Sequence, residues 1–474
     1  MKKSYRFAKI IATLGPATYS YEKIKLLIIE GVNLFRLNFS HGLHIEHKQF
    51  IEWIRHAEKE LDTTVGIIGD LQGPKFRIGP IANNKVFYKP GEIISFIPEG
   101  EKGSKEVLIF PHPEVFGDIE VKDLVLVDDG KMALEVIQLG KKEIRLKVLT
   151  EGAISSGKGV NLPKIKRKDT FLTCKDKQDL EFAMGEKVDY IAISFVQSYE
   201  DLQETKDFIK ECSDDEVGII AKVEKPAALD NLNDIIENSD AIMIARGDLG
   251  VEVSPEKVPI LQKYITQECR QKGVPVIVAT QMLDSMVNYS RPTRAEASDV
   301  ATAVYQGADA LLLSAESASG KYPVEAVGVM GRIIKEVEED LSLPKIYEVE
   351  APYPEKERED AIALAAKNIL KVLDVSAIIS FPVKGENFHN FSRQRLLCPI
   401  LEVVNSKNIC RRLSLIWGVL PIYRQDMTGD LLTLACNIAK QKRLAEKKDT
   451  LLVTSSAAIN ETDKVNSLHI TSIT

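Results

Sequence analysis

Eight short apolar runs, most of them leading into a segment of helical period, recur along the first two-thirds of this chain, and that alternation limits the fold more than any other feature. Runs of this kind, apolar throughout and polar only where they end, read as parallel strands buried on both faces. The clearest pair lies between Gly218 and Gly250. It reads Gly218-Ile-Ile-Ala-Lys222-Val-Glu224, then a helix-like connection, then Ala241-Ile-Met-Ile-Ala-Arg246-Gly247-Asp248-Leu-Gly250. Lys222 and Glu224 are two residues apart and so share a strand face. Asp248 ends the following strand. Were the two strands neighbours, one ammonium and two carboxylates would meet, a set suited to an oxygen-ligated divalent ion beside an anionic substrate. The competing reading is a Lys–Glu salt bridge at a strand end, which is common and worth little.

Further strands are expected at residues 8–15, 34–42, 65–71, 190–196, 275–281 and 310–316. Helices are expected at 21–30, with Ser20 as N-cap and Gly31 as stop, and at 44–61, 176–186, 254–272 and 323–341. Ser254 and Pro255 have the order of an N-cap and first helical residue. Between residues 75 and 165 the pattern changes to period two, broken by turn signals such as Pro90-Gly91 and Asp128-Asp129-Gly130. That is a small all-β module inserted into the repeat. Residues 343–357 are rich in Pro and Glu and read as a linker. A helix at 360–373 and strands at 376–380, 400–404 and 450–453 suggest a separate α/β domain. Eight strand–helix units are the count for a (β/α)₈ barrel, with a doubly wound sheet as the competing arrangement. The division expected is a discontinuous barrel domain at 1–74 and 166–342, the inserted module at 75–165, and a C-terminal domain at 343–474.

Bulk properties narrow the function. Lys plus Arg number 62 and Asp plus Glu 69, a net charge of −7, which argues against general nucleic-acid or anionic-membrane binding. The six cysteines are dispersed without a Cys-x-x-Cys pair and read as reduced thiols. Met1-Lys-Lys-Ser-Tyr-Arg6 leads directly into a strand with no apolar signal region, and no apolar run reaches the length of a membrane span. A cytoplasmic protein is expected.

In a barrel of this type the active site lies at the carboxyl ends of the strands. Polar residues collect there: Arg36, Asn38, Ser40 and His41; Asp70; Lys222 and Glu224; Arg246 to Asp248; Thr280. Arg36-Leu-Asn-Phe-Ser-His41-Gly42, Asp70-Leu-Gln-Gly-Pro74, Ala221-Lys-Val-Glu224, Ile244-Ala-Arg-Gly-Asp-Leu-Gly250, Ala279-Thr-Gln-Met-Leu283 and Arg291-Pro-Thr-Arg-Ala-Glu296 together resemble the pyruvate kinase family. The resemblance covers the whole chain, closely to about residue 340 and loosely beyond.

The resemblance implies a TIM barrel with an inserted small β-barrel lid and a C-terminal α/β domain for regulation or assembly into a homotetramer. It implies phosphoryl transfer from phosphoenolpyruvate to ADP, giving pyruvate and ATP, the last step of glycolysis. Glu224 and Asp248 would hold Mg²⁺ or Mn²⁺. Lys222 would stabilise the transferring phosphoryl group. Backbone N–H groups of Gly247 and Asp248, with Thr280, would hold the substrate carboxylate. Arg36, Arg77 and Lys158 match positions that contact phosphates of substrate or nucleotide. Lys158, in Ser155-Ser-Gly-Lys158-Gly159, would arrive when the lid closes. His41 is a nucleotide-side candidate, with a capping or core histidine as its alternative. Arg294 and Glu296 read as an ion pair near the site. A metal-dependent aldolase acting on pyruvate or a related oxo acid is the runner-up, and a non-catalytic member the third reading.

Two departures from the family pattern carry expectations of their own. K⁺-dependent members hold the ion with oxygens matching Asn38, Ser40, Asp70 and the residue at 71, in the pattern Asp-Thr-Lys-Gly-Pro-Glu. This chain has Asp70-Leu71-Gln72-Gly73-Pro74-Lys75, so a tethered ammonium at Lys75 is expected to replace the ion. Members activated by a sugar bisphosphate carry a small, polar phosphate loop after the first C-terminal strand. Here Ser380-Phe381-Pro382-Val383-Lys384-Gly385-Glu386-Asn387 lacks that character, and a weak or absent response is expected.

Overall fold

The computed structural model describes residues 5–165, 171–382, 389–427, 429–455 and 467–473. Eight parallel strands close into a barrel: β1 (Lys9–Thr13), β2 (Leu34–Asn38), β3 (Gly66–Asp70), β4 (Tyr190–Ile193), β5 (Gly218–Val223), β6 (Ala241–Ala245), β7 (Val276–Ala279) and β8 (Ala310–Leu313). Each pairs with its neighbours in sequence, and β1 closes on β8, which excludes the doubly wound order. Alternate residues serve two cores. Ile11, Leu34, Ile68, Ile220, Met243, Ile277 and Leu312 fill the barrel interior. Ile10, Phe35, Ile67, Ile219, Ile242, Val278 and Leu311 pack outward on the helices. Burial on both faces is why these strands read as unbroken apolar runs.

The helix Tyr21–Glu30 begins at Ser20, whose hydroxyl accepts from Lys23 N–H, and stops at Gly31, which adopts φ 111°. Helices Tyr199–Cys212 and Arg294–Tyr305 occupy stretches without a sequence assignment. The first buries only Leu202, Thr205 and Ile209, too thin a stripe to stand out. Residues 343–357 are not a bare linker. Leu343–Val349 is helical because Leu343 and Tyr347, one turn apart, are both buried, and the Tyr347 hydroxyl donates to the Val304 carbonyl. Ser254 makes no side-chain capping bond; a 3₁₀ turn, Pro255–Lys257, intervenes before the helix Val258–Lys272.

One device recurs at the amino-terminal mouth of the barrel. The residues just before β2, β4, β6 and β8 are Asn33, Asp189, Asp240 and Asp309. Their side chains accept the N–H of Ile10, Ile67, Ile219 and Val276 at 2.7–3.0 Å, one in each odd strand. Each also receives a guanidinium, from Arg6, Arg55, Arg412 and Arg395 respectively. Arg395 and Arg412 come from the C-terminal part of the chain, and Leu415 joins the interior cluster there. The C-terminal part therefore closes one mouth of the barrel and leaves the other to the site.

The inserted segment forms a seven-stranded sheet, ordered Phe76–Arg77, Gly159–Asn161, Leu124–Val127, Met132–Leu139, Ile144–Val148, Ile93–Ile97 and Val107–Ile109, with a separate pair, Lys85–Tyr88 and Gly152–Ser155. It has its own apolar cluster, around Phe96, Phe110, Val125, Leu134 and Leu146. The C-terminal sheet runs Val419–Tyr423, Ile400–Val404, Val375–Phe381, Thr450–Ser455 and Ser467–Ser472, the last strand antiparallel. Of the loop at 380–387, residues 383–387 lie outside the described residues.

Candidate active site

The carboxyl ends of β2, β3, β4 and β5 bring their polar residues into one buried cluster. Lys222 Nζ lies 3.1 Å from Asp70 Oδ1, 3.0 Å from Glu224 Oε1 and 2.6 Å from Ser194 Oγ. Arg36 donates through Nε to Asp70 Oδ2 at 2.5 Å. Thus Arg36, Asp70, Lys222 and Glu224 form a chain of alternating charge, and Asp70, Lys222 and Glu224 are all less than a tenth exposed. The electrostatics follow from that packing. Burial resists charge on Lys222, but Asp70 and Glu224 outweigh it and raise its pKa, so the ammonium stays charged. Burial also resists charge on Asp70, but Arg36 and Lys222 hold its carboxyl below the usual range. Glu224 is pushed up to about 7 by burial, against the pull of Lys222 and with the push of Asp248.

Asp248 lies near enough to Glu224 for its charge to push that carboxyl up, and two such carboxylates invite a cation. Glu224 comes from the end of β5 and Asp248 from the first turn of the helix Arg246–Glu252. Among the described residues no group of three or more His, Cys, Asp and Glu could hold a metal ion. Two hard oxygen donors with the rest supplied by water and substrate is the arrangement Mg²⁺ favours, so the residues fit such an ion.

Thr280 and Gln281, just past β7, adopt φ 71° and 55°. Such strain at a strand end is held in place by surrounding contacts. Arg246 supplies them, donating to the Thr280 carbonyl at 2.7 Å and pairing with Asp299 at 2.7 Å. The Gly247 N–H donates to Thr280 Oγ1 at 2.7 Å, which brings the expected carboxylate-binding groups together. A Cβ at Gly247 would stand 3.4 Å from Thr280 Oγ1, in the same space.

Other sequence candidates lie differently. Asn38 accepts from the Ser40 N–H at 3.2 Å at the end of β2. Leu71 is buried, and its carbonyl accepts from Ser194 Oγ at 2.7 Å. Lys75 Nζ lies 3.6 Å from Asp248 and 3.6 Å from Asp129, so its ammonium sits on the Asp248 side of the site. Arg77 and Lys158 are on adjacent strands or turns of the inserted sheet. Arg77 donates to the Gly157 carbonyl at 3.0 Å, and Lys158 pairs with Asp128 at 2.6 Å. His41 is exposed, and its carbonyl accepts from the buried His47. Glu296 serves a capping box with Thr293 and accepts from Ser285. No ion pair between Arg294 and Glu296 is seen among the described residues.

Two members of the cluster escaped the sequence reading. Ser194 bridges Lys222 and the Leu71 carbonyl, and the Phe195 N–H, at φ 61°, donates to Glu224 Oε2 at 2.8 Å. Ser194 carries the signal that marked the others, a polar residue at the carboxyl end of an apolar run.

Comparison with known proteins agrees along the whole chain. The family model "Pyruvate kinase, barrel domain" matches residues 5–327, and "Pyruvate kinase, alpha/beta domain" matches 360–471. The chain is 43% identical over 472 residues to a pyruvate kinase of Agrobacterium vitis, covering 99% of each. It is 40% identical to one of Methylorubrum extorquens, covering 100% of this chain and 98% of the relative. A crystal structure of a pyruvate kinase from Cryptosporidium parvum superposes with a TM-score of 0.93 at 31% identity, covering 99% of this chain and 96% of that one.

Proposed function

The chain belongs to the pyruvate kinase family, and we propose that the cluster around Lys222 carries transfer of a phosphoryl group from phosphoenolpyruvate to ADP. The chain is a phosphotransferase. The aldolase reading is set aside, because its relatives are pyruvate kinases over their full length.

The observation that supports this assignment is the Lys222 ammonium, held charged among Asp70, Glu224 and Ser194 in a buried setting. Phosphoryl transfer asks little covalent chemistry of a protein and much positioning of charge. A cation fixed before the reaction costs no reorganisation when charge shifts from the phosphoryl group to its acceptor. Asp70 and Ser194 hold Lys222 in place, and Arg36, locked by Asp70, points a second cation along the same row. The Gly247 N–H and Thr280 hydroxyl suit the substrate carboxylate, which would accept the N–H now given to Thr280 Oγ1 and the hydroxyl hydrogen now given to the Ala279 carbonyl. Glu224 and Asp248 would hold Mg²⁺ or Mn²⁺; when bound, that ion neutralises substrate phosphate and carboxylate charge.

The inserted module, residues 75–165, serves as a lid carrying Arg77 and Lys158 toward the nucleotide, with His41 a further nucleotide-side candidate. Both lid cations now have partners inside the module, Gly157 and Asp128, so closure would exchange those partners for phosphates. Residues 1–74 and 166–342 form the catalytic domain and 343–474 the C-terminal one. Independence from K⁺ is read from Leu71 and Lys75 standing where K⁺-dependent members have Thr and Glu; the Lys75 ammonium lies 3.6 Å from Asp248, with no ion pair to Asp70 among the described residues, so it would offset charge from the Asp248 side and not from the ion's own place. The Asn38, Ser40, Asp70 and Leu71 positions then form a vestigial monovalent-cation site. The family resemblance supports a cytoplasmic homotetramer. Among the described residues no helix is long and apolar enough to cross a membrane.

A coupled assay tests the assignment: phosphoenolpyruvate and ADP with Mg²⁺ should yield ATP and pyruvate, and Glu224→Gln should raise the Mg²⁺ concentration required. Absence of ATP under all metal and salt conditions would overturn it.

A further inference from the structure

The inserted module meets the barrel through a buried polar contact that the reaction chemistry does not use. Asn161, on the last strand of the module, donates through Nδ2 to Glu252 Oε1 at 2.7 Å. Lys225 Nζ lies 2.9 Å from the same oxygen. The Glu252 side chain is fully enclosed, and its Oε2 has no hydrogen-bond partner. Nearby packing is looser. A cavity of about 620 Å³ opens beside Glu252, lined by Leu124 and Leu126 of the module and Val251 and Val253 of the barrel.

The positions of the three residues give the contact its meaning. Glu252 ends the short helix whose first turn carries Gly247 and Asp248. Lys225 follows Glu224 directly. Asn161 is three residues from Lys158, and Gly159 on its strand pairs with Arg77. One carboxylate thus ties the backbone of both metal-ligand candidates to the strand that leads to both lid cations. A buried carboxylate holds its partners firmly, since losing Lys225 leaves its charge unmatched and losing Asn161 leaves an oxygen without its donor.

We infer that Asn161, Glu252 and Lys225 form the pivot on which the module closes, and that Glu252 is a positioning residue for Arg77 and Lys158. The cavity beside it gives the module room to turn, while the Asn161–Glu252 bond fixes the point it turns about. The inference rests on the reading of the module as a lid.

Polarity reversal tests it. Asn161→Asp sets two carboxylates together. Adding Glu252→Gln restores one amide and one carboxylate in exchanged places. The single variant should lose at least about tenfold in kcat and raise KM for ADP, at a cost of about 1.4 kcal/mol per tenfold. The double variant should recover part of both, because the amide–carboxylate bond returns while Lys225 loses its carboxylate at 252. Asn161→Ala, which adds no charge, should show the same loss if Asn161→Asp fails to fold. Unchanged kcat and KM in folded Asn161→Asp or Asn161→Ala would overturn the inference, as would a folded double variant no better than Asn161→Asp. Lys158→Met separates the two claims: if it leaves ADP kinetics unchanged, the lid reading fails; if it impairs them while the Asn161 variants do not, only the pivot fails.

Discussion

Replacing Lys75 by Glu gives a sharp test of how this site balances charge. Lys75 Nζ stands 3.6 Å from Asp248 Oδ1, and the side chain is 21% exposed. At that distance a unit pair is worth about 1 kcal/mol at the dielectric of water and about 5 at an effective value of 20. Partial exposure and the neighbouring Asp129 favour the lower figure. Reversing the sign of the charge roughly doubles the change, so at least about 2 kcal/mol is expected, a factor of about 30. Without K⁺, Lys75→Glu should therefore lose about 30-fold in kcat/KM for phosphoenolpyruvate, and K⁺ should restore part of that loss. The assay compares KCl with tetramethylammonium chloride at constant ionic strength and saturating Mg²⁺. The unmodified enzyme should respond little to the exchange. Strong stimulation of the unmodified enzyme by K⁺, or full activity of Lys75→Glu in its absence, would show that Lys75 does not do the ion's work.

Three further outcomes concern the C-terminal part. Glu402, buried in its sheet, is pushed up to about 8 by burial. The folded chain then holds a proton that the unfolded chain releases near its ordinary carboxyl pKa, so stability falls as pH rises from about 4.5 to about 8. Glu402→Gln should flatten that slope and gain a few kcal/mol, on the order of three, at pH 8.5; equal slopes in thermal midpoints from pH 5 to 8.5 would contradict this. Asp309→Ala leaves the Arg395 guanidinium buried without its partner and should cost about 3–5 kcal/mol in urea unfolding; a loss below about 1 kcal/mol would show that the pair is not what ties the C-terminal part to the barrel. Fructose 1,6-bisphosphate should leave the half-saturating phosphoenolpyruvate concentration unchanged, because Phe381 and Pro382 offer neither a small polar group nor, at Pro382, a backbone donor; a large fall would contradict this.

The barrel was legible because its strands are buried on both faces, and a run such as Ala241-Ile-Met-Ile-Ala245, apolar throughout and too short for a core helix, fits a buried parallel strand best. The site was legible for the same reason: polar residues at the ends of such runs have one place to go. Less legible were features fixed by contacts distant in sequence. The helix Leu343–Val349 exists because Tyr347 reaches Val304, and the strand Ser467–Ser472 because Thr450–Ser455 offers it an edge. The short strand Phe76–Arg77 is held by its pairing with Gly159–Asn161, which in turn pairs with Leu124–Val127. Nothing local marks Asn161, and only folding sets it against Glu252, 91 positions away. The pairing of Lys75 with Asp248 was equally hidden, since no local pattern states which carboxylate an ammonium will meet.

On the function proposed, the buried Lys222 ammonium stabilises the transferring phosphoryl group. The direct test is single-turnover ATP formation from phosphoenolpyruvate and ADP by Lys222→Met, measured alongside phosphoenolpyruvate binding in the presence of Mg²⁺. Binding should change little, because the charge is needed chiefly in the transition state, while the rate of ATP formation should fall by at least about a thousandfold, about 4 kcal/mol. Near-normal turnover in a folded Lys222→Met variant that binds substrate would mean that phosphoryl transfer does not depend on that charge.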